Sequence, residues 1–149
     1  MKHQTLSASL ETCHWGYFDA TLVPAMTIES GDEITIDTIS GGPQNLPSSG
    51  FQVPPELLEL HAAGVPAMPG HILTGPVAVS GALPGDVLQV DILEVSLRQD
   101  WGFNFFGPLK GTLPNDFPNH HQTIIPLDAK RGIATLPWGL ELELSPFFG

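Results

Sequence analysis

Sixteen glycines and fifteen prolines occupy 31 of the 149 positions in this chain, against about 12% expected from average usage. Proline lacks an N–H and breaks helix interiors, and glycine weakens them. A chain interrupted this often cannot extend long helices. It suits many short strands joined by turns. Hydrophobic residues make up 42% and charged residues 14%, which marks a folded chain rather than a disordered one. The length suits one domain or two small ones, with room for a sizeable core.

Strand signals follow from side-chain alternation. In 33–39, Ile34 and Ile36 share one face while Glu33, Thr35 and Asp37 share the other. Gly31-Asp32 just before them reads as a turn. The design recurs: Gly85-Asp86-Val87-Leu88-Gln89-Val90-Asp91 repeats Gly31-Asp32-Glu33-Ile34-Thr35-Ile36-Asp37 as Gly-Asp-x-aliphatic-x-aliphatic-Asp. Two turn-plus-strand units of one kind predict paired elements of a β-sandwich or barrel. Two copies are too few for a solenoid.

Residues 54–63 predict a helix. Pro54-Pro55 can open it, Glu56 supplies an acid in the first turn, and Gly64 and Pro66 end it. Residues 40–50 and 102–121 read as long loops, which are usually functional in a compact domain. Residues 133–144 read as a broken strand pair around Pro137-Trp138-Gly139. The closing Pro146-Phe147-Phe148-Gly149 is apolar and aromatic, and is expected to be covered by more protein.

Acidic residues outnumber Lys and Arg by 16 to 5, for a net charge of -11. Phosphate backbones are held mainly by Lys and Arg, so nucleic acid is not an expected partner. An anionic membrane surface is disfavoured for the same reason. The single cysteine, Cys13, permits no internal disulfide and no thiolate zinc cluster. Met1-Lys2 is followed by polar residues rather than an apolar signal segment. No run approaches the ~18 apolar residues of a membrane span. A soluble cytoplasmic protein is the expectation.

The chemistry-bearing candidates begin with six histidines: His3, His14, His61, His71, His120 and His121. Imidazole titrates near neutrality and binds metals. No His-x-x-x-His or His-x-His pair is present, and on a strand the adjacent His120 and His121 would face opposite ways. His61, on the expected helix, reads as a surface residue. His71 sits between Pro69-Gly70 and Thr74-Gly75-Pro76, at a loop-to-strand junction. His14 lies in Cys13-His14-Trp15-Gly16, beside an aromatic that could wall a pocket. Both histidines could instead simply be hydrogen-bonded within packed loops.

Cys13 could be a nucleophile, but a lone cysteine is most often a small buried hydrophobe. No Gly-x-Ser-x-Gly elbow is present. Asp32 and Asp86 follow glycine and read as turn caps. Asp37 precedes the first long loop and Asp116 lies within the second, so these two are candidate bases or ligands. Trp15, Trp101 and Trp138 each precede glycine. They could line a pocket, although core packing is the commoner use.

The block from His71 through Thr74-Gly75-Pro76, Gly81-Ala82 and Pro84-Gly85-Asp86 to Asp91 resembles the acetamidase/formamidase family, which hydrolyses short aliphatic amides to acid and ammonia. Cys13-His14-Trp15-Gly16-Tyr17-Phe18, Ser30-Gly31-Asp32, Asp100-Trp101-Gly102, Gly111-Thr112-Leu113-Pro114 and the Pro146-Phe147-Phe148-Gly149 ending support it, in family order. The resemblance implies a mainly β fold: a jelly-roll-like β-sandwich with one short helix and long loops. It makes residues 1–149 the N-terminal portion of that domain. Family members are about twice as long. Their second half carries Gly-Gly-Asn-x-Asp, Gly-Asp-x-His and Gly-Asp-Gly-Glu blocks, none of which occurs here. A small amide is the implied substrate.

The residues carried over are His71, His14 and the acidic loop around Asp116. Without a serine or cysteine nucleophile, a water activated by a metal or a carboxylate is the economical mechanism. The expected site has His71, Asp37 and Asp116 as catalytic residues, and His14 with His71 as ligands of a divalent metal, zinc first. Trp15 and Trp101 would form an apolar wall for the acyl group. A homo-oligomer, or a partner bearing the C-terminal half, would complete it. The competing class is a non-catalytic β-sandwich subunit or truncated remnant that binds a small ligand or metal.

Overall fold

The computed structural model describes residues 1–64 and 71–147. The expected helix stop at Pro66, the Pro69-Gly70 turn before His71 and the final Phe148-Gly149 lie outside the described residues. In chain order the elements are β1 (His3–Leu6), β2 (Cys13–Trp15), β3 (Met26–Ile28), β4 (Glu33–Ile36), α1 (Pro55–Ala62), β5 (Ile72–Thr74), β6 (Val77–Val79), β7 (Trp101–Phe106), β8 (His121–Asp128), β9 (Ile133–Thr135) and β10 (Glu141–Glu143). A 3-10 turn spans Pro43–Asn45. Short strands, one short helix and long loops make the chain mainly β, as the glycine and proline spacing requires. It forms two compact units: Met1–Gln44 with Pro54–Asp91, and Asn45–Val53 with Ile92–Gly149.

In the first unit, β1 pairs parallel with β4, β2 antiparallel with β5, and β3 parallel with β6. The Gly31-Asp32 turn works as its sequence suggests. Gly31 takes φ +86°, a conformation that costs a side-chain-bearing residue but not glycine. The Asp32 carboxylate accepts the backbone N–H of Lys2 at 2.7 Å and that of Glu29 at 3.2 Å. Those two bonds, the Lys2 one first, hold its pKa below the ordinary aspartate value. The turn thereby fastens the start of β4 to the residue ahead of β1.

Helix α1 begins at Pro55, where a missing N–H costs nothing, and Glu56 sits in the first turn. Leu57 and Leu60, three apart and therefore on one face, are almost wholly buried. With Leu6, Ala8, Cys13, Trp15 and Ile39 they make the buried apolar set of this unit.

In the second unit the strands run in the order β10-β9-β8-β7, all antiparallel. The expected hairpin at 133–144 is present as β9 and β10, with the Leu136 N–H donating to the Leu140 carbonyl at 2.9 Å. Trp101 and Ala134 are its buried apolar residues. Asn45 is buried too, and its Nδ2 donates to Gln122 Oε1 at 2.9 Å.

Two expectations are corrected. The loop foreseen at 102–121 begins only after Phe106. Phe103, Phe105 and Phe106 suit a strand, and β7 aligns them against Ile124, Gln122 and His121 of β8. The second Gly-Asp unit forms its turn but no strand: among the described residues nothing pairs with 86–97, which are exposed throughout. Alternation gives such a segment a strand's pattern, but a ladder also needs a neighbour.

Candidate functional site

The motif residues of the first unit meet at the β2–β5 strand pair. Cys13 lies opposite Thr74, His14 opposite Leu73 and Trp15 opposite Ile72. Just past Trp15, the Gly16 N–H donates to the His71 carbonyl at 2.9 Å. At the other end the Gly75 N–H donates to the Thr12 carbonyl at 2.8 Å. The Cys-His-Trp-Gly and His-x-x-Thr-Gly-Pro motifs, far apart in sequence, are therefore neighbours. Period-two alternation buries Cys13 and Trp15 and leaves His14 half-buried on the other side. His71 is exposed at the start of β5.

His14 packs edge-on against Tyr17, with ring centroids 5.7 Å apart, and its Nε2 lies 3.3 Å from the Tyr17 carbonyl. A carbonyl only accepts, so Nε2 carries the proton in that contact and Nδ1 is left as the basic nitrogen. Thr74 is the junction of the site. Its hydroxyl donates to the Asp37 carbonyl at 2.9 Å, which ties the end of β4 to β5. Its oxygen lies 3.6 Å from Cys13 Sγ. With the hydroxyl proton already committed, the thiol is the donor there. That contact, and the burial of the residue, give Cys13 a packing role.

Asp37 is half-buried immediately after β4. The structure thus brings the backbones of His14, His71 and Asp37 to one strand pair, by way of Gly16 and Thr74. Trp15 is 7% exposed and belongs to the core behind that pair.

Sequence reasoning missed His61. It was expected at the surface, yet it is half-buried, with its ring edge-on to Trp15 at 5.4 Å. Its Nε2 donates to the Gly41 carbonyl at 3.0 Å. The available signal was spacing. His61 follows buried Leu57 by four residues and so shares its helix face.

Asp116 and Trp101 lie in the second unit. Asp116 is exposed in a turn closed by its own N–H on the Leu113 carbonyl at 3.2 Å. Trp101 is 0% exposed, and its indole N–H donates to the Gln52 carbonyl at 2.8 Å. His120 stacks on Phe105 at 6.1 Å and His121 packs on Phe106 at 5.5 Å. The adjacent imidazoles thus pack on different rings.

The expected metal was tested against this donor set. Among the described residues, no group of three or more His, Cys, Asp or Glu side chains is placed to hold a metal ion. His14 and His71 would need further ligands from elsewhere. The residues described do not by themselves fit a metal. Among the described residues, no helix is long and apolar enough to cross a membrane.

The fold and its paired motifs define a mainly β protein whose two histidine-bearing segments are joined by one short ladder. Residues 13–148 match the acetamidase/formamidase family profile. The chain belongs to that family. It is 44% identical over 59 residues to a formamidase of Methylophilus methylotrophus, a match covering 36% of this chain and 14% of that protein. The fold is similar to that of a predicted acetamidase/formamidase from Thermoanaerobacter tengcongensis, with TM-score 0.67 and 22% identity over 95% of this chain and 42% of that one. It is also similar to an acetamidase from Bacillus halodurans, with TM-score 0.60 and 19% identity over 93% of this chain and 42% of that one. The chain thus spans well under half the length of the solved relatives it matches.

Proposed function

We propose that this chain is part of an amidohydrolase that converts formamide or acetamide to carboxylate and ammonia, its site being completed by a C-terminal half. The observation that carries this reading is the β2–β5 pairing. It joins the most specific family motif, the His71 block, to the supporting Cys13-His14-Trp15-Gly16 motif in space and leaves His71 accessible beside them.

The reaction adds water across the amide: a hydroxyl joins the carbonyl carbon, the C–N bond breaks, and nitrogen leaves with an added proton as ammonia. In this reading His71 takes the proton from the attacking water, since its imidazole is exposed beside the paired motifs and imidazole is the commonest general base. Asp37, whose backbone carbonyl is held by the Thr74 hydroxyl, is its companion carboxylate in this reading. His14 lies on β2, two residues before the Gly16 that holds His71, and in this reading its Nδ1 takes up that proton and passes it to the departing nitrogen. Trp15 backs β2 from the core and fixes the strand that presents His14.

Ammonia release from formamide and acetamide tests the proposal. The chain alone is expected to be inactive, and the chain completed by a family C-terminal half active. His71→Ala in the completed protein should lower turnover by about 10²–10⁴-fold, the usual worth of a general acid–base group, with an unchanged circular dichroism spectrum. Wild-type turnover by that variant removes His71 from the site. Ammonia from the chain alone shows that 149 residues suffice. A folded, completed protein that releases none leaves the non-catalytic subunit as the reading.

A further inference from the structure

The two Gly-Asp units form the same turn, and among the described residues only the first has a neighbouring strand. In the first, the Asp32 N–H donates to the Glu29 carbonyl at 3.1 Å and Asp32 Oδ2 accepts the Glu29 N–H at 3.2 Å. In the second, the Asp86 N–H donates to the Leu83 carbonyl at 3.0 Å and Asp86 Oδ2 accepts the Leu83 N–H at 2.8 Å. Gly31 and Gly85 both take positive φ, +86° and +104°.

Beyond the turn the copies diverge. Asp32 Oδ1 receives the Lys2 N–H, the Glu33 N–H donates to the Lys2 carbonyl at 2.8 Å, and the Asp37 N–H donates to the Leu6 carbonyl at 3.0 Å. These bonds lay β1 parallel along β4. Residues 87–91 have no backbone–backbone hydrogen bond among the described residues. Val87, Leu88 and Val90 are 95%, 72% and 66% exposed. An alternating apolar edge with unpaired backbone is a template for strand addition.

We infer that residues 87–91 are the docking edge for a parallel β-strand supplied by the part of the family fold that this chain does not span. The inference rests on the reading that a C-terminal half completes the protein. The occupant is argued from three observations. First, this chain covers 42% of each of the two solved relatives, so more than half of each lies outside the match. Second, the first copy shows a parallel neighbour, whereas two copies of one edge joined by a closed two-fold axis usually meet antiparallel. Third, a net charge of -11 opposes self-association.

By the match of the copies, the incoming strand donates an N–H to Asp86 Oδ1. It accepts from the N–H groups of Val87, Gln89 and Asp91, the counterparts of Glu33, Thr35 and Asp37. Its apolar side chains cover Leu88 and Val90.

The test co-expresses this chain with the C-terminal half of the Methylophilus methylotrophus formamidase as the probe polypeptide. Size-exclusion chromatography, amide hydrogen exchange and ammonia release are read together. The expected result is a one-to-one complex in which amides 87–91 exchange at least about ten-fold more slowly than in the chain alone. Gln89→Pro removes the central N–H of the docking edge and should lose the complex. Its β4 amides should stay as protected as in the wild type, showing that the chain itself still folds.

A complex whose 87–91 amides exchange as in the free chain overturns the inference, as does a Gln89→Pro chain that still binds. Absence of any complex overturns it too. So does protection of 87–91 in the chain alone that grows with concentration, because the occupant is then a second copy. A protected complex that releases no ammonia supports the docking edge and counts against the amidase reading. An active complex with unprotected 87–91 does the reverse.

Discussion

Replacing Trp101 separates a core role from a substrate-wall role. The residue begins β7, pairs with Pro126 of β8 and is 0% exposed. Its ring lies 6.4 Å from that of Phe103, and its N–H holds the Gln52 carbonyl. Gln52 is held a second time, its own N–H donating to Asp100 Oδ1 at 3.0 Å. Truncation to alanine empties an indole-sized space, which costs about 3–5 kcal/mol for a buried Trp or Phe. Trp101→Phe keeps an aromatic ring and loses the N–H. Gln52 is an exposed residue whose carbonyl can turn to water, so the lost bond lies toward the low end of about 1–3 kcal/mol. The expected order is Trp101→Ala well below Trp101→Phe, with both below wild type. Urea unfolding followed by the exchange of β7 and β8 amides measures it. A Trp101→Ala protein within about 1 kcal/mol of wild type would refute the packing argument. If its KM for formamide then rose in the completed protein, the wall reading would stand in its place.

Three further outcomes follow from the contacts of the first unit. The depressed pKa of Asp32 means that its contribution is fully present above the ordinary aspartate value and is lost as pH falls through the lower folded value. Asp32→Asn should therefore flatten the acid limb of a thermal-stability profile, and an unchanged limb would contradict the Lys2 and Glu29 bonds. His61→Ala removes both the Gly41 bond and the Trp15 contact, and should cost about 1–2 kcal/mol in chemical unfolding. A neutral effect would return His61 to the surface. Thr74→Val keeps the shape and deletes the hydroxyl that holds the Asp37 carbonyl. It should cost about 1 kcal/mol and, in the completed protein, lower kcat more than it raises KM. An unchanged kcat would remove Thr74 as a positioning residue.

The motifs of the candidate site were legible because each is local in sequence. His14 and Trp15 sit in one short motif and His71 heads another, and turn residues beside both motifs mark where strands begin. What brings them together was not legible. The bonds from Gly16 to His71, from Gly75 to Thr12 and from Thr74 to Asp37 join segments whose spacing in the chain says nothing about contact. His61 shows the same limit. Start and stop residues placed it on a helix, but that Leu57 and Leu60 are buried there and that the His61 ring meets Trp15 is decided by the fold. Trp101 and Trp15 look alike in sequence, each before a glycine, yet they anchor the cores of different units.

The Gly-Asp units draw the line most clearly. Sequence alone determined both turns. Glycine admits the positive φ, and an aspartate carboxylate reaches the N–H three residues back, all within five residues of chain. Sequence alone also determined the alternation that follows each turn. Only tertiary structure decided that 33–36 became a strand and 87–91 did not. A helix satisfies its backbone from within its own segment, whereas a strand's N–H and C=O groups need a neighbour. In this chain β1 lies beside β4, and no strand among the described residues lies beside 87–91.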